Sequence, residues 1–295
     1  VSMSFGFVIL NYNTYCETVE LIKTIDRIFK GEENKIVIVD NASQDHSLEK
    51  FKLLYEDNNN VCILQMPYNM GFSKANNEGY KYLRPMNLDF IFICNSDIEF
   101  QQKNFKNELL ELYKSIKFDV CGPDVWAPNM KKKYYHGHQS PAYPWEYSAW
   151  YTQYTILNHS IRNTEMRFKL FKRIYCMGVR VFQRILTGTV YKKWRQKFHK
   201  DTAVHGSCII LSKRFIEQEK VIFEPETKFY FEELLLYLKI KKKNYISVYS
   251  PNLQITHLQG RSTSNRNERE NGSSWIDRNI VESAYIYLEQ LRKEK

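Results

Sequence analysis

Apolar and polar positions fall into blocks along the first 125 residues. The runs Phe5-Gly6-Phe7-Val8-Ile9-Leu10, Lys35-Ile36-Val37-Ile38-Val39 and Phe90-Ile91-Phe92-Ile93-Cys94 are almost continuously apolar. That is the pattern of parallel strands covered on both faces. Each run stops abruptly in polar residues: Asn11-Tyr12-Asn13, Asp40-Asn41-Ala42-Ser43 and Asn95-Ser96-Asp97. Between the first two, Val19, Ile22, Ile25 and Phe29 recur at helical spacing, so strand, helix, strand reads as a βαβ unit with a right-handed crossover. The alternation continues with helices over 47–55, 73–83 and 104–116, a strand over 61–66 and a short strand over 119–123.

The pattern changes near Asn129. From there to about residue 200 it is aromatic and basic and poor in strand alternation. A stretch beginning Met166-Arg167-Phe168-Lys169-Leu170 and running to Leu186 spaces apolar residues three or four apart, with Lys and Arg between them. Such a helix lies on an anionic membrane surface, or packs its apolar side on the domain with its lysines in water. Strand and helix signals then return: a strand over 203–211, a helix over 213–219, a helix from Glu232 to Ile240, and strands over 245–249 and 253–256 reaching His257. Residues 260–274 are polar, with Arg261, Arg266 and Arg269, which predicts a mobile loop. The chain closes with an amphipathic helix carrying Ile276, Ile280, Ala284, Leu288 and Leu291.

Charge adds a constraint. Of 295 residues, 43 are Lys or Arg and 33 Asp or Glu, a net charge of +10. The excess favours an anionic partner: nucleic acid, an acidic membrane surface or a phosphorylated substrate. Cys62, Cys94, Cys121 and Cys208 sit in or beside apolar runs and no CxxC occurs. Reduced cysteines in a cytoplasmic protein are therefore expected. No apolar run approaches the length of a bilayer span, so membrane contact is expected to be peripheral, on the inner face of the cell membrane. No GxGxxG follows a strand, which argues against a dinucleotide oxidoreductase.

In an open α/β sheet, ligands lie beyond the carboxyl ends of the strands, where the polar endings of these three strands gather. A carboxylate such as Asp97 at that rim suits a hard divalent cation held against a diphosphate, or equally a turn. Two acids, Glu232 and Glu233, open a helix, where the macrodipole alone would favour them.

Taken in order, Val8-Ile9-Leu10-Asn11-Tyr12-Asn13, Val37-Ile38-Val39-Asp40-Asn41-Ala42-Ser43, Asn69-Met70-Gly71-Phe72, Asn95-Ser96-Asp97, Gly206-Ser207, Phe231-Glu232-Glu233 and Ile255-Thr256-His257 resemble the motifs of family 2 inverting glycosyltransferases, particularly bacterial rhamnosyltransferase-like enzymes. The resemblance implies a GT-A (Rossmann-like) α/β fold, with a mixed, mostly parallel central sheet flanked by helices, and covers nearly the whole chain apart from a basic, aromatic helical insert and the tail. With the change of pattern near Asn129, the chain divides into a nucleotide-sugar half (1–128), the insert (129–200), an acceptor and catalytic half (201–262), and a loop with a closing helix (263–295).

The same resemblance implies the roles of residues. Asn11, Tyr12, Asp40, Asn69, Gly71 and Asn95 would hold the nucleotide sugar. Lys74 and Asn77 would face its nucleotide or diphosphate, with a solvated surface position as the other reading of Lys74. Asp97 would bind Mg²⁺ or Mn²⁺, His257 would complete the metal or diphosphate site, and Arg261 would close over the diphosphate. Glu233, or Glu232, would be the base that deprotonates the acceptor hydroxyl. The sequence departs from the family pattern here: Glu233 is one methylene longer than the usual Asp, and Leu235 replaces another usual Asp.

The implied donor is a dTDP- or UDP-linked sugar, rhamnose first. The implied acceptor is a glycan on a polyprenyl diphosphate in bacterial surface polysaccharide synthesis. Tyr134, Tyr135, Tyr143, Trp145, Tyr147, Trp150 and Tyr151 stack on sugars or pack a small helical subdomain. The closing helix leaves a homodimer open. Rival readings are a non-catalytic nucleotide-sugar-binding scaffold and a nucleic-acid-binding protein; the latter leaves the acids at the strand ends unexplained, so no nucleic-acid partner is expected.

Overall fold

The computed structural model describes residues 3–128, 137–142, 144–163, 177–178, 193–258 and 273–293. Arg261, Arg266 and Arg269, the rings of Tyr134, Tyr135, Tyr143 and Trp145, and nearly all of the basic stretch 166–186 lie outside that set.

The first half holds β1 (Ser4–Asn11), α1 (Tyr15–Ile28), β2 (Glu33–Asp40), α2 (Ser47–Leu54), β3 (Val61–Gln65), α3 (Phe72–Leu83), β4 (Phe90–Asn95), β5 (Ile98–Glu99), α4 (Phe105–Ile116) and β6 (Val120–Trp126). Then follow α5 (Ala149–Asn163), β7 (His199–Lys200), β8 (Cys208–Ser212), α6 (Lys213–Gln218), α7 (Glu232–Lys242), β9 (Ser247–His257) and α8 (Ser273–Lys293). The strands join in one sheet in the order β3-β2-β1-β4-β8-β6-β9-β5, with β7 also on β9. β3, β2, β1 and β4 run parallel, and β8 is antiparallel to both β4 and β6.

Alternation along each strand divides the core into two layers. Phe5, Phe7, Ile9, Phe90 and Phe92 face α1, α2 and α4, where Phe29, Phe51, Phe105 and Leu109 join them. Val8, Val37, Val39, Ile91, Ile93, Ile209 and Leu211 face α3, α6 and α7, meeting Tyr80, Leu83, Phe215 and Leu236. The aromatic layer interlocks: the Phe7 and Phe92 rings stack at 4.8 Å, and Phe29 meets Phe92 edge-on at 5.4 Å. Both faces being buried explains why these strands are nearly continuous in apolar residues.

Two expected elements differ. The strand read over 203–211 begins only at Cys208, because its partner β4 ends at Asn95 and pairs no further than Cys94 with Cys208. The strands read over 245–249 and 253–256 are one strand, β9; its register against β6 shifts between Pro123 and Asp124, which absorbs the Pro251 region. In the second half α5 packs on α8 through Ile156, Ala284 and Leu288, so part of the insert and the closing helix form one helical pair. Among the described residues, no helix is long and apolar enough to cross a membrane.

Candidate active site

The chain runs β1, β2, β3 to one side and returns to β4 on the other side of β1. The crevice at such a switch point is where an α/β sheet receives its ligand. Asn11, Asp40 and Asn95 end the three strands around it.

The polar side chains there form a continuous path. Asn11 Nδ2 donates to Asp40 Oδ1 at 2.8 Å and to Ser43 Oγ at 2.9 Å, and Ser43 N donates to Asp40 Oδ2 at 3.1 Å. Thr14 and Thr18 hydroxyls donate to Asn11 Oδ1 at 3.0 and 2.9 Å. Thr14 Oγ1 lies 2.7 Å from Ser96 Oγ, which leads to Asp97. The short strand β5 leaves the β4 end and crosses to the end of β9, pairing Ile98 with His257. That crossing places Asp97 Oδ1 3.1 Å from His257 Nε2. The His257 ring lies 6.0 Å from the His205 ring. One residue further on, a Cβ on Gly206 would stand 3.8 Å from Glu233 Oε2 and 3.7 Å from the Phe72 ring. Asp40 is thus linked through Asn11, Thr14 and Ser96 to the neighbourhood of Asp97 and His257, and the next ring, His205, precedes the Gly206 that stands beside Glu233.

Electrostatics differ along the path. Glu232 is 5 % exposed; burial, and then the charge of Glu233, push its carboxyl up to about 8. One of its oxygens, Oε1, is buried without a hydrogen-bond partner. Glu233 is less enclosed and burial raises its carboxyl too. Both acids follow Tyr230 and Phe231, which hold φ values of +71° and +67°. Two consecutive left-handed non-glycine residues are strained backbone of the kind that gathers at functional sites. His205 accepts from Ser207 N on Nδ1 at 3.1 Å, and burial, then the nearby His257, hold its imidazole down at about 3, so it is neutral.

Among the described residues, no three His, Cys, Asp or Glu side chains cluster as a metal cage. The Asp97–His257 pair fits a cation that draws its remaining ligands from substrate oxygens and water, as Mg²⁺ and Mn²⁺ do. His257 Nδ1 lies 2.7 Å from Gln139 Oε1. With Nδ1–H donating there, Nε2 turns a lone pair toward the Asp97 carboxylate, and two facing acceptors need a proton or a cation between them. A hollow of about 190 Å³ reaches Asp97 from the start of α1, between Cys16, Glu17, Glu20, Glu99 and Leu258.

The expected residues divide into two groups. Asn11, Asp40, Asn95, Asp97, His257, Glu232 and Glu233 sit on or beside the rim, with Tyr12 next to it on the chain. Asn69 and Gly71 stand one layer out: Asn41 Nδ2 donates to Asn69 Oδ1 at 3.2 Å, and Met70 N donates to Asn41 Oδ1 at 2.8 Å. Gly71, at φ +85°, makes room for protein rather than ligand, since a Cβ would lie 2.4 Å from Lys228 O. Asn77 is taken out of the donor-facing group by its own bonds. Its Oδ1 accepts from Ile222 N and Phe223 N at 3.2 and 3.1 Å, and its Nδ2 donates to Phe223 O at 3.0 Å. Lys74 is half exposed, 3.7 Å from Glu226. Arg261 lies outside the described residues. Sequence reasoning missed Gln139, Thr14, His205 and Asn41. The last was legible beside Asp40, whereas Gln139 reaches His257 from 118 positions away and left no local signal.

The glycosyl transferase family 2 model matches residues 7–218. No curated relative matches the chain. Among solved structures, TarS 1-349 of S. aureus in complex with UDP-GlcNAc is similar at TM-score 0.53 and 17% identity, over 88% of this chain and 60% of that one. The present chain therefore spans 60% of the length of that structure. Mannosyltransferase PcManGT from Pyrobaculum calidifontis, in complex with GDP-Man and Mn²⁺, is similar at TM-score 0.54 and 9% identity, over 100% of this chain and 76% of that one. Such likenesses establish the GT-A fold. Together with the span of the family match, they close the question of kinship: the chain belongs to glycosyltransferase family 2.

Proposed function

We propose that this protein is a metal-assisted inverting glycosyltransferase that moves a sugar from a dTDP- or UDP-linked donor to a hydroxyl of a glycan acceptor. The supporting observation is the run of contacts from Asp40 to the Asp97–His257 pair, with Gly206 and Glu233 beyond it. Asn11 and Asp40 receive the nucleoside: each Asp40 oxygen retains a lone pair beyond the bond it already accepts. Asp97 and His257 would hold the cation, which would supply positive charge to the departing diphosphate.

Glu233 is the base. Glu232 is largely protonated at neutral pH and is closed off from the crevice, whereas the Glu233 carboxylate faces the small Gly206. Glu233 takes the proton of the acceptor hydroxyl as its oxygen bonds to the anomeric carbon. The bond to the diphosphate breaks on the opposite face, and inversion follows. Neutral His205 beside this path adds no competing positive charge.

A rhamnosyl donor, an acceptor on polyprenyl diphosphate, and a place in bacterial surface polysaccharide synthesis complete the reading. Its support is the resemblance of the motifs and the basicity of the chain. A cytoplasmic enzyme peripheral to the inner face of the membrane belongs to the same proposal. Glu233→Gln tests the core of it: sugar transfer from UDP- or dTDP-sugars falls by about 10³-fold or more, while UDP binding by calorimetry stays intact. Turnover like that of the wild type would remove Glu233 from the mechanism.

A further inference from the structure

A cavity of about 430 Å³ lies between α7, the end of α8, residues 147–148 and the segment 194–202. Tyr147, Trp194, Tyr237, Lys200, Asp201 and Lys241 are among its lining. The volume is that of a small-molecule site. The site residues described above do not line it.

Two features tie it to the base. Glu233, Tyr237 and Lys241 are spaced by four along α7, so they share one helix face. At 1.5 Å per residue, Tyr237 and Lys241 stand about 6 and 12 Å along the axis from Glu233. Independently, the segment that starts at Asp201 in the cavity arrives within five residues at Gly206, beside Glu233 Oε2. The cavity therefore extends the acceptor side of the site.

Its chemistry is selective. The Tyr147 and Tyr237 rings pack 4.7 Å apart, Lys241 Nζ lies 5.8 Å over the Tyr237 ring, and Trp194 stacks on His199 at 3.8 Å, so the wall is aromatic with a cation already at its edge. Tyr237 is anchored, its hydroxyl donating to Asp201 O at 2.6 Å. His199 Nε2–H donates to Trp194 O at 2.7 Å. Lys200 and Lys241 are exposed on the rim, with Lys193, Lys197 and Lys242 exposed nearby, against the single carboxylate of Asp201 in the lining. Aromatic walls under a cationic rim suit a sugar that carries negative charge.

We infer that this cavity binds an anionic unit of the acceptor glycan, one or two sugars from the hydroxyl that is glycosylated, with Lys200 and Lys241 on its acidic group. The inference rests on the glycosyltransferase reading for the word acceptor, and its test separates the two. Calorimetry on the full chain uses tri-galacturonate as a carboxylate probe, mannose 6-phosphate as a phosphate probe, and maltotriose as a neutral one. At least one anionic probe is expected to bind more tightly than maltotriose and to weaken about tenfold or more in the Lys200→Ala, Lys241→Ala double variant, whose changes are on exposed side chains. Which anionic probe binds distinguishes carboxylate from phosphate. Neither anionic probe binding, equal affinity for maltotriose, or affinity untouched in the double variant overturns the inference. UDP is titrated in parallel. UDP binding lost in the double variant would make the cavity the nucleotide site and also overturn it. Absence of UDP binding in the wild type counts against the donor reading alone.

Discussion

Two adjacent acids at the start of α7 carry different duties because they are buried to different degrees. Glu233 must be ionised to accept a proton, and its carboxyl is raised by burial. Transfer rate is therefore expected to fall as pH drops through a midpoint above the ordinary carboxylate range near 4.5, read from a pH profile of kcat/KM; a midpoint at or below 4.5 contradicts the assignment. Glu232 supplies a stability signal of its own. Its folded carboxyl stands at about 8 against an unfolded value of 4.5, so the stability tied to its protonated form is complete below 4.5 and is lost as pH rises through 8. Glu232→Gln removes that loss. The variant is expected to be more stable than wild type at pH 8 by on the order of 1–3 kcal/mol and to show a flatter profile from pH 4.5 to 8, measured by urea unfolding. An unchanged slope would place the raised carboxyl elsewhere.

At the scale of elements, α3 illustrates how a motif can be read correctly and its duty misplaced. Asn77 stands on the helix that follows Asn69-Met70-Gly71-Phe72, and its residue type suits a nucleotide contact. Its amide instead clasps the backbone of 222–223, a segment 145 positions away that no local pattern announces. Asn77→Ala is expected to cost about 2–4 kcal/mol, since buried backbone groups lose their partners, and to leave UDP affinity of the folded protein unchanged. Weakened UDP binding without loss of stability would return Asn77 to the donor site. Gly71→Ala is expected to be at least as costly, about 2 kcal/mol or more, because a Cβ at φ +85° meets Lys228 O at 2.4 Å. The strands β1, β2 and β4 were legible because both their faces are buried, and the helices α1 and α4 because one face is buried and the other is not; periodicity records burial. The late start of β8, the continuity of β9 and the pairing of α5 with α8 were not, since each depends on where a distant partner ends.

For the whole molecule, strand order and right-handed crossovers convert the order of motifs along the chain into an order in space, which is how Asn11, Asp40 and Asn95 come to end adjacent strands. What the order of motifs cannot supply is depth. The hollow at Asp97 joins residues 16–20, 97–99 and 258, and the cavity beside α7 joins 147–148, 194–202, 237–241 and 291, stretches that no local pattern brings together. In the proposed mechanism the donor lies in the Asp40–Asp97 crevice and the acceptor on the α7 side. Activity is accordingly expected to vanish in EDTA and return with Mn²⁺ or Mg²⁺, and undiminished transfer in EDTA would reject the cation role of Asp97 and His257. The most direct measurement is a crystal soaked with UDP and Mn²⁺, read by anomalous difference density. A manganese peak between Asp97 and His257 is expected, with the uridine running toward Asn11 and Asp40. Nucleotide seated in the cavity beside Tyr147 and Tyr237, or manganese bound away from Asp97, would contradict the mechanism.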